Sequence, residues 1–175
     1  IERKIKVSRP SRDSAAAILN VYLTDDLPLD RQWIDQHGGD RKKACADLVE
    51  HALATIFSRI DENRLLSIRL RNGQNKVLYR SDLISGAILA SIVQRAKEQA
   101  IERMIAAGGA EQGGMILDDL VNSVHAEFRE GEMLPPDDAA EEWLKLLDHH
   151  PEQIVGISSF RRGRQSEERL INQII

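Results

Sequence analysis

The sequence predicts an α+β fold that is mainly α. Three observations carry that prediction. Long stretches place apolar residues at the i, i+3, i+4 spacing of one helix face. Around Asn72-Gly73 the period drops to two, the spacing of a strand. Aromatic residues are only 4% of 175, which suits helices packed through Ala, Leu and Ile better than a β-sandwich.

Ile1 to Ser8 alternates at Ile1, Arg3, Ile5 and Val7, with Arg3, Lys4 and Lys6 as a basic complement, and reads as a strand ended by Pro10. Ser11 offers an N-cap to a helix with Asp13 in its first turn and an apolar face of Ala15, Ile18, Leu19, Tyr22 and Leu23. Pro28 and Gly38-Gly39 punctuate Thr24 to Asp40 and leave room for a short helix around Arg31 to Gln36. Asp40 caps the next helix, Arg41 to Ile60, whose stripe is Cys45, Leu48, Val49, Ala52, Leu53, Ile56, Phe57 and Ile60.

Leu66, Ile68 and Leu70 then alternate with Ser67, Arg69 and Arg71. Asn72-Gly73 tolerates the positive φ of a tight turn, and Val77 and Tyr79 alternate on the return. The prediction is a hairpin of Leu65–Arg71 with Lys76–Arg80. A lone hairpin is marginal in water, so it should recruit a third strand, for which Ile154-Val155-Gly156-Ile157 is the candidate. From Ser85 a long helix buries Ile88, Leu89, Ile92, Val93, Ala96, Ala100 and Met104 and stops at Gly108-Gly109. Gln112-Gly113-Gly114 is a loop. Leu117, Leu120, Val121, Val124 and Phe128 mark a helix closing near Gly131. Pro135-Pro136-Asp137 opens a last helix through Trp143 and Leu147.

The formal net charge of −4 argues against a nucleic-acid surface. Arg161-Arg162-Gly163-Arg164 stands beside Glu167 and Glu168 and reads as a solvated tail. No apolar stretch reaches bilayer length and no signal peptide is visible, so no membrane partner and a cytoplasmic location are expected. Cys45, the only cysteine, lies on an apolar helix face and reads as a structural thiol. The 5 histidines, His37, His51, His125, His149 and His150, lack metal-like spacing, so no metal site is expected. Asp118-Asp119 opens a helix, where carboxylates favour the dipole. No glycine-rich loop runs into Gly-Lys-Ser/Thr, and no apolar run ends in paired carboxylates for Mg²⁺. The chain holds no self-contained catalytic constellation. The informative stretch is Ser85-Gly86-Ala87. Gly86 has no side chain and Ala87 almost none, so a flat ligand can approach the backbone closely; the same small residues would also serve tight helix crossing.

The order of these elements resembles the end of an AAA+ ATPase module. A basic strand leads to Arg9-Pro10, a helix to Tyr22-Leu23, then LPL at Leu27–Leu29, then SGA opening a long Ala-rich helix, then MILDDLVNSV from Met115 to Val124. The detail is similar to the actinobacterial proteasome-associated ATPases, the ARC and mycobacterial proteasomal ATPase family. The resembling blocks are VYLTDDLPL (Val21–Leu29), GGDR (Gly38–Arg41), RIDENRLL (Arg59–Leu66), NGQNKVLYRSDLISGAILASIVQRAKEQAI (Asn72–Ile101), EFREGEMLP (Glu127–Pro135) and EQIVGI (Glu152–Ile157). The hairpin ahead of Ser85 separates this branch from general AAA lids, which use a short loop there.

The resemblance implies a division of the chain. Residues 1–8 would be the last strand of the AAA+ core, 9–62 and 81–147 the helical lid, 63–80 and 152–160 a small β insert, and 161–175 the C-terminal tail. It implies ATP as cofactor, with Mg²⁺ and the P-loop in a core outside this chain, so that the 175 residues alone would be inactive. Ser85, Gly86 and Ala87 match the sensor-2 entrance that lines adenine and ribose. Arg3 stands where general AAA proteins place a trans-acting arginine finger; it is that finger or one strand charge among several. The implied partners are further copies in a hexameric ring, protein substrates and a proteasome core particle. The family ends in Gly-Gln-Tyr-Leu, which docks into the proteasome. Here Gln173, Ile174 and Ile175 occupy those places, with Ile174 replacing the Tyr. Two other readings stay open: the lid of a general AAA+ remodelling ATPase without a protease, and a free-standing adaptor whose hairpin edge recruits a strand.

Overall fold

Side chains that accept from otherwise unpartnered first-turn amides set the helix starts. Ser11 Oγ accepts from Ser14 N at 3.2 Å, Asp30 Oδ1 from Gln32 N at 2.9 Å, Asp40 Oδ1 from Lys42 N at 3.0 Å, and Ser85 Oγ from Ile88 N at 3.3 Å. These caps belong to a computed structural model that describes residues 8–24, 26–108, 113–130, 154–160 and 168–170. The described helices are α1 (Arg12–Tyr22), α2 (Arg31–Gln36), α3 (Arg41–Phe57), α4 (Arg80–Leu83), α5 (Gly86–Ala106) and α6 (Leu117–Glu130). The strands are β1 (Arg64–Leu70), β2 (Asn75–Tyr79), β3 (Ile154–Ser159) and β4 (Glu168–Leu170). The mainly helical α+β fold is as the sequence predicts. The expected strand Ile1–Ser8, Ser8 apart, and the expected helix from Pro135 to Leu147 lie outside the described residues.

The chain divides into two compact units. The first comprises Ile1–Ile56 and Ile84–Glu130. In it α5 packs against α1 and α6. Ala15 and Leu19 of α1, Leu48, Ala52 and Ile56 of α3, Leu89, Ile92 and Ala96 of α5, and Leu120 and Val124 of α6 are all buried. Ile88 and Met104, expected in the α5 stripe, are only partly covered. Gly108, at φ +82, ends α5 in the left-handed conformation that glycine adopts without strain. A parallel bridge joins Leu29 to Met115, with Met115 N–H donating to Pro28 O at 2.8 Å and Asp30 N–H to Met115 O at 3.1 Å. Gly114 lies against that bridge. A Cβ there would overlap the Leu29 carbonyl and the Asp30 amide, so the close approach requires glycine.

The second unit comprises Phe57–Leu83 and Gly131–Ile175. Its sheet is antiparallel with the order β2-β1-β3-β4. Leu66 faces Leu78, and Ile68 faces Ile157, so their side chains share one face. With Leu83 and Ile154 they form a buried cluster. The third strand is the one expected from Ile154 to Ile157. The hairpin turns at Gly73, φ +83.

Three further details differ from the sequence expectation. The third helix stops at Phe57, and Ile60 is 51% exposed despite its place in the stripe. The buried Asn63 amide donates to Ser58 O and Oγ, both at 2.7 Å, and draws the chain into a 3-10 turn at Asp61–Asn63. Arg80 leaves the hairpin to open α4, because Asp82 Oδ2 accepts the Tyr79 N–H at 2.9 Å in the manner of a capping box. Glu168–Leu170, read as solvated tail, is a strand: Gly156, Ile157 and Ser158 pair with Leu170, Arg169 and Glu168. That pairing runs through backbone groups, which composition does not reveal.

Candidate functional site

Ser85 is extended, φ −139 and ψ 169, and caps α5 through its hydroxyl. Its carbonyl accepts from Leu89 N at 3.1 Å. The amides of Gly86 and Ala87 belong to the first turn, where no helical carbonyl can reach them. Ser85 and Gly86 are half-buried and Ala87 is exposed. A Cβ built on Gly86 would meet no atom within 4 Å. Gly86 therefore serves no tight helix crossing among the described residues, in contrast to Gly114. The helix mouth combines backbone donors, a hydroxyl and a surface without side-chain bulk. That arrangement suits a flat, polar-edged ligand, and among the described residues no general base is placed on the Ser85 hydroxyl.

Other elements hold this entrance. Arg9 Nη1 lies 3.5 Å from Ile84 O, which brings Arg9-Pro10 beside the residue before Ser85. Ser91 Oγ donates to Glu127 Oε2 at 2.8 Å, tying α5 to α6, with Arg95 Nη2 at 3.7 Å from the same oxygen. At the far end of α5, Arg103 Nη2 donates to Asp119 Oδ2 at 2.7 Å and to Gly114 O at 2.7 Å. Asp119 also accepts from Ile116 N at 2.9 Å. The dipole reading of Asp118-Asp119 is thus incomplete for Asp119, whose side chain is 8% exposed and paired. Hydrogen bonding to Asp119 outweighs the effect of burial and raises the Arg103 pKa.

Sequence spacing also gave no sign of a cluster between α2 and α3. His37 Nδ1 lies 2.7 Å from Trp33 O, and its Nε2 lies 3.1 Å from Asp47 Oδ2. His51 Nδ1 is 3.4 Å from the other Asp47 oxygen. The Trp33 ring lies 4.6 Å from that of His37 and 6.3 Å from that of His51, centroid to centroid. Among the described residues, no group of three or more His, Cys, Asp or Glu is arranged to hold a metal ion. Cys45 is buried, its thiol 3.7 Å from Thr24 O. Among the described residues, no helix is long and apolar enough to cross a membrane. Arg3, Gln173, Ile174 and Ile175 lie outside the described residues.

A family described as "ARC, AAA+ ATPase lid domain" matches residues 10–174. The chain belongs to that family. Similar proteins named proteasome-associated ATPase include one from Acidothermus cellulolyticus, 34% identical over 96% of this chain and 28% of the relative. Another, from Acidimicrobium ferrooxidans, is 38% identical over 89% of the chain and 26% of the relative. A third, from Nakamurella multipartita, is 34% identical over 95% and 28%. The lid chain thus spans about a quarter of the length of the curated relatives it matches. The matched span contains α1 to α6 of the lid and the strands β1 to β4.

Proposed function

We propose that this chain is the nucleotide-sensing lid of a ring-forming AAA+ ATPase that unfolds proteins and feeds them to a bacterial proteasome. The supporting observation is the entrance of α5, where among the described residues Gly86 has no contact that calls for a glycine and Ala87 is exposed. The residues present fit ATP. Gly86 and Ala87 leave room for an adenine ring, and the Ser85 hydroxyl and first-turn amides offer partners to its polar edge or to the ribose. When bound, ATP supplies the free energy of phosphoanhydride cleavage. The lid residues bind and orient; cleavage belongs to the P-loop and Mg²⁺ carboxylates of a core that this reading places ahead of Ile1. Arg3 acts as the finger of that core or as a strand charge. The lid passes the nucleotide state to the next subunit of a cytoplasmic homohexamer by rigid-body rotation.

In this reading residues 1–8 end the core, 9–62 and 81–147 form the lid, 63–80 and 152–160 the β insert, and 161–175 the tail, with Gln173, Ile174 and Ile175 docking the proteasome. Ile174 favours a second reading in one respect, because it lacks the hydroxyl of the family's Tyr. An AAA+ remodelling ATPase without a protease keeps every other feature.

Photo-cross-linking of the full-length protein with an azido-adenine nucleotide tests the site. Label on the peptide containing Ser85–Leu89 is expected, and label confined to other peptides would overturn the assignment. Capture of the full-length protein by a proteasome core particle separates the first reading from the second.

A further inference from the structure

α2 has no fully buried residue; Trp33 and Ile34 are half-buried. Polar and ring contacts fix it to its neighbours. Trp33 Nε1 donates to Ala44 O at 3.2 Å, and Asp30 at the helix start is fixed to Met115 O. A further contact runs through His37. Its Nδ1 faces a backbone carbonyl, which only accepts, so Nδ1 must carry a hydrogen. Its Nε2 faces the Asp47 carboxylate, which also only accepts when ionised. Both contacts are hydrogen bonds only when the ring is an imidazolium. A neutral ring keeps one and turns a lone pair toward an oxygen at the other. Gly38 and Gly39, at φ +68 and +79, follow at once and let the chain turn back toward α3.

We propose that His37 is a proton-operated latch that fixes α2 on α3, closed when the ring carries both hydrogens and loosened when it carries one. The groups facing it are the Trp33 carbonyl from α2 and Asp47 from α3, whose second oxygen is shared with His51. Asp40 and Lys43 at the start of α3 pair with each other at 3.6 Å. The hydrogen bond to Trp33 O is the main cause raising the His37 pKa; burial opposes it, and Asp47 adds to it by hydrogen bond and charge. A raised folded value means that the latch stabilises α2 fully below about pH 6.5, the ordinary histidine value. That stabilisation is lost as pH rises through the folded value.

The test is NMR titration of the His37 ring in the 175-residue chain, with amide exchange at Ile34 and His37 corrected for intrinsic rates. The expected midpoint lies above 6.5, and α2 opens about tenfold more often at pH 8.5 than at pH 5.5. Asp47→Asn is expected to lower the midpoint, while His51→Gln leaves it above 6.5. A midpoint at or below 6.5 in the parent chain, a midpoint indifferent to Asp47→Asn, or opening that does not change with pH would overturn the proposal. So would a fall to the ordinary value in His51→Gln, which would assign the titration to the histidine pair. If Asp47→Asn does not fold, the parent and His51→Gln titrations decide.

Discussion

Substituting Gly86 separates a ligand-facing glycine from a packing glycine. The Cβ of Gly86→Ala would meet no described residue within 4 Å. The residue lies in the first turn of α5, and its φ is outside the positive range. Removing a glycine from a helix then stabilises by up to about 1 kcal/mol, less at the helix end than in its interior. Gly86→Leu adds a longer side chain at the same place and should also leave the fold intact, within about 1 kcal/mol of the parent. If adenine approaches the backbone here, Leu occupies its path at the cost of an overpacked contact, about 1–3 kcal/mol. That corresponds to roughly a 5- to 150-fold loss of nucleotide affinity. The assays are urea unfolding of the 175-residue chain and binding of a fluorescent ATP analogue to the full-length protein. Two outcomes refute the reasoning. Unchanged affinity for Gly86→Leu removes the ligand role, and a loss of several kcal/mol in Gly86→Ala shows that the glycine is needed for packing.

Gly114→Ala should destabilise the first unit by about 1–3 kcal/mol, because its methyl would overlap backbone that cannot move aside. Gly113→Ala should cost less, since its obstacle is the flexible Met104 side chain; equal costs in urea unfolding would contradict this. Asp119→Ala strands the Ile116 amide and takes one of two partners from the Arg103 guanidinium, which keeps Gly114 O, and about 2 kcal/mol is expected. Arg103→Met should cost at least as much, because it leaves the Asp119 carboxylate, 8% exposed, without its cation. The isolated 175 residues should release no phosphate from ATP in a malachite-green assay; sustained turnover would contradict a lid whose catalytic groups lie elsewhere.

The parts of the fold legible in sequence were those set by local periodicity and local caps. Leu89, Ile92, Val93, Ala96 and Ala100 are buried because a single helix determines which of its residues share a face. Ser11 and Asp40 cap as expected because a short oxygen-bearing side chain reaches an amide two or three residues on, and Asp30 and Ser85, not read as caps in the sequence, do the same. Ile60 was misread because its spacing fits the stripe of α3, while Asn63, outside that stripe, takes over the Ser58 carbonyl. β4 was missed because a strand edge recruits backbone, and Glu168–Leu170 has no pattern of its own. His37 and Asp47 meet only because the chain turns at Gly38-Gly39, so no helical spacing predicts the contact.

The same logic limits what a glycine says. Gly86 and Gly114 are equally silent in sequence, and each could serve close packing or close approach of a ligand. Their surroundings decide. Backbone crowds Gly114 and makes it a requirement of the Leu29–Met115 bridge. Among the described residues, nothing lies within 4 Å of a Cβ built on Gly86. A glycine at a helix mouth that no described residue crowds leaves room for a ligand, and that open surface, more than the triplet itself, supports the proposed nucleotide contact.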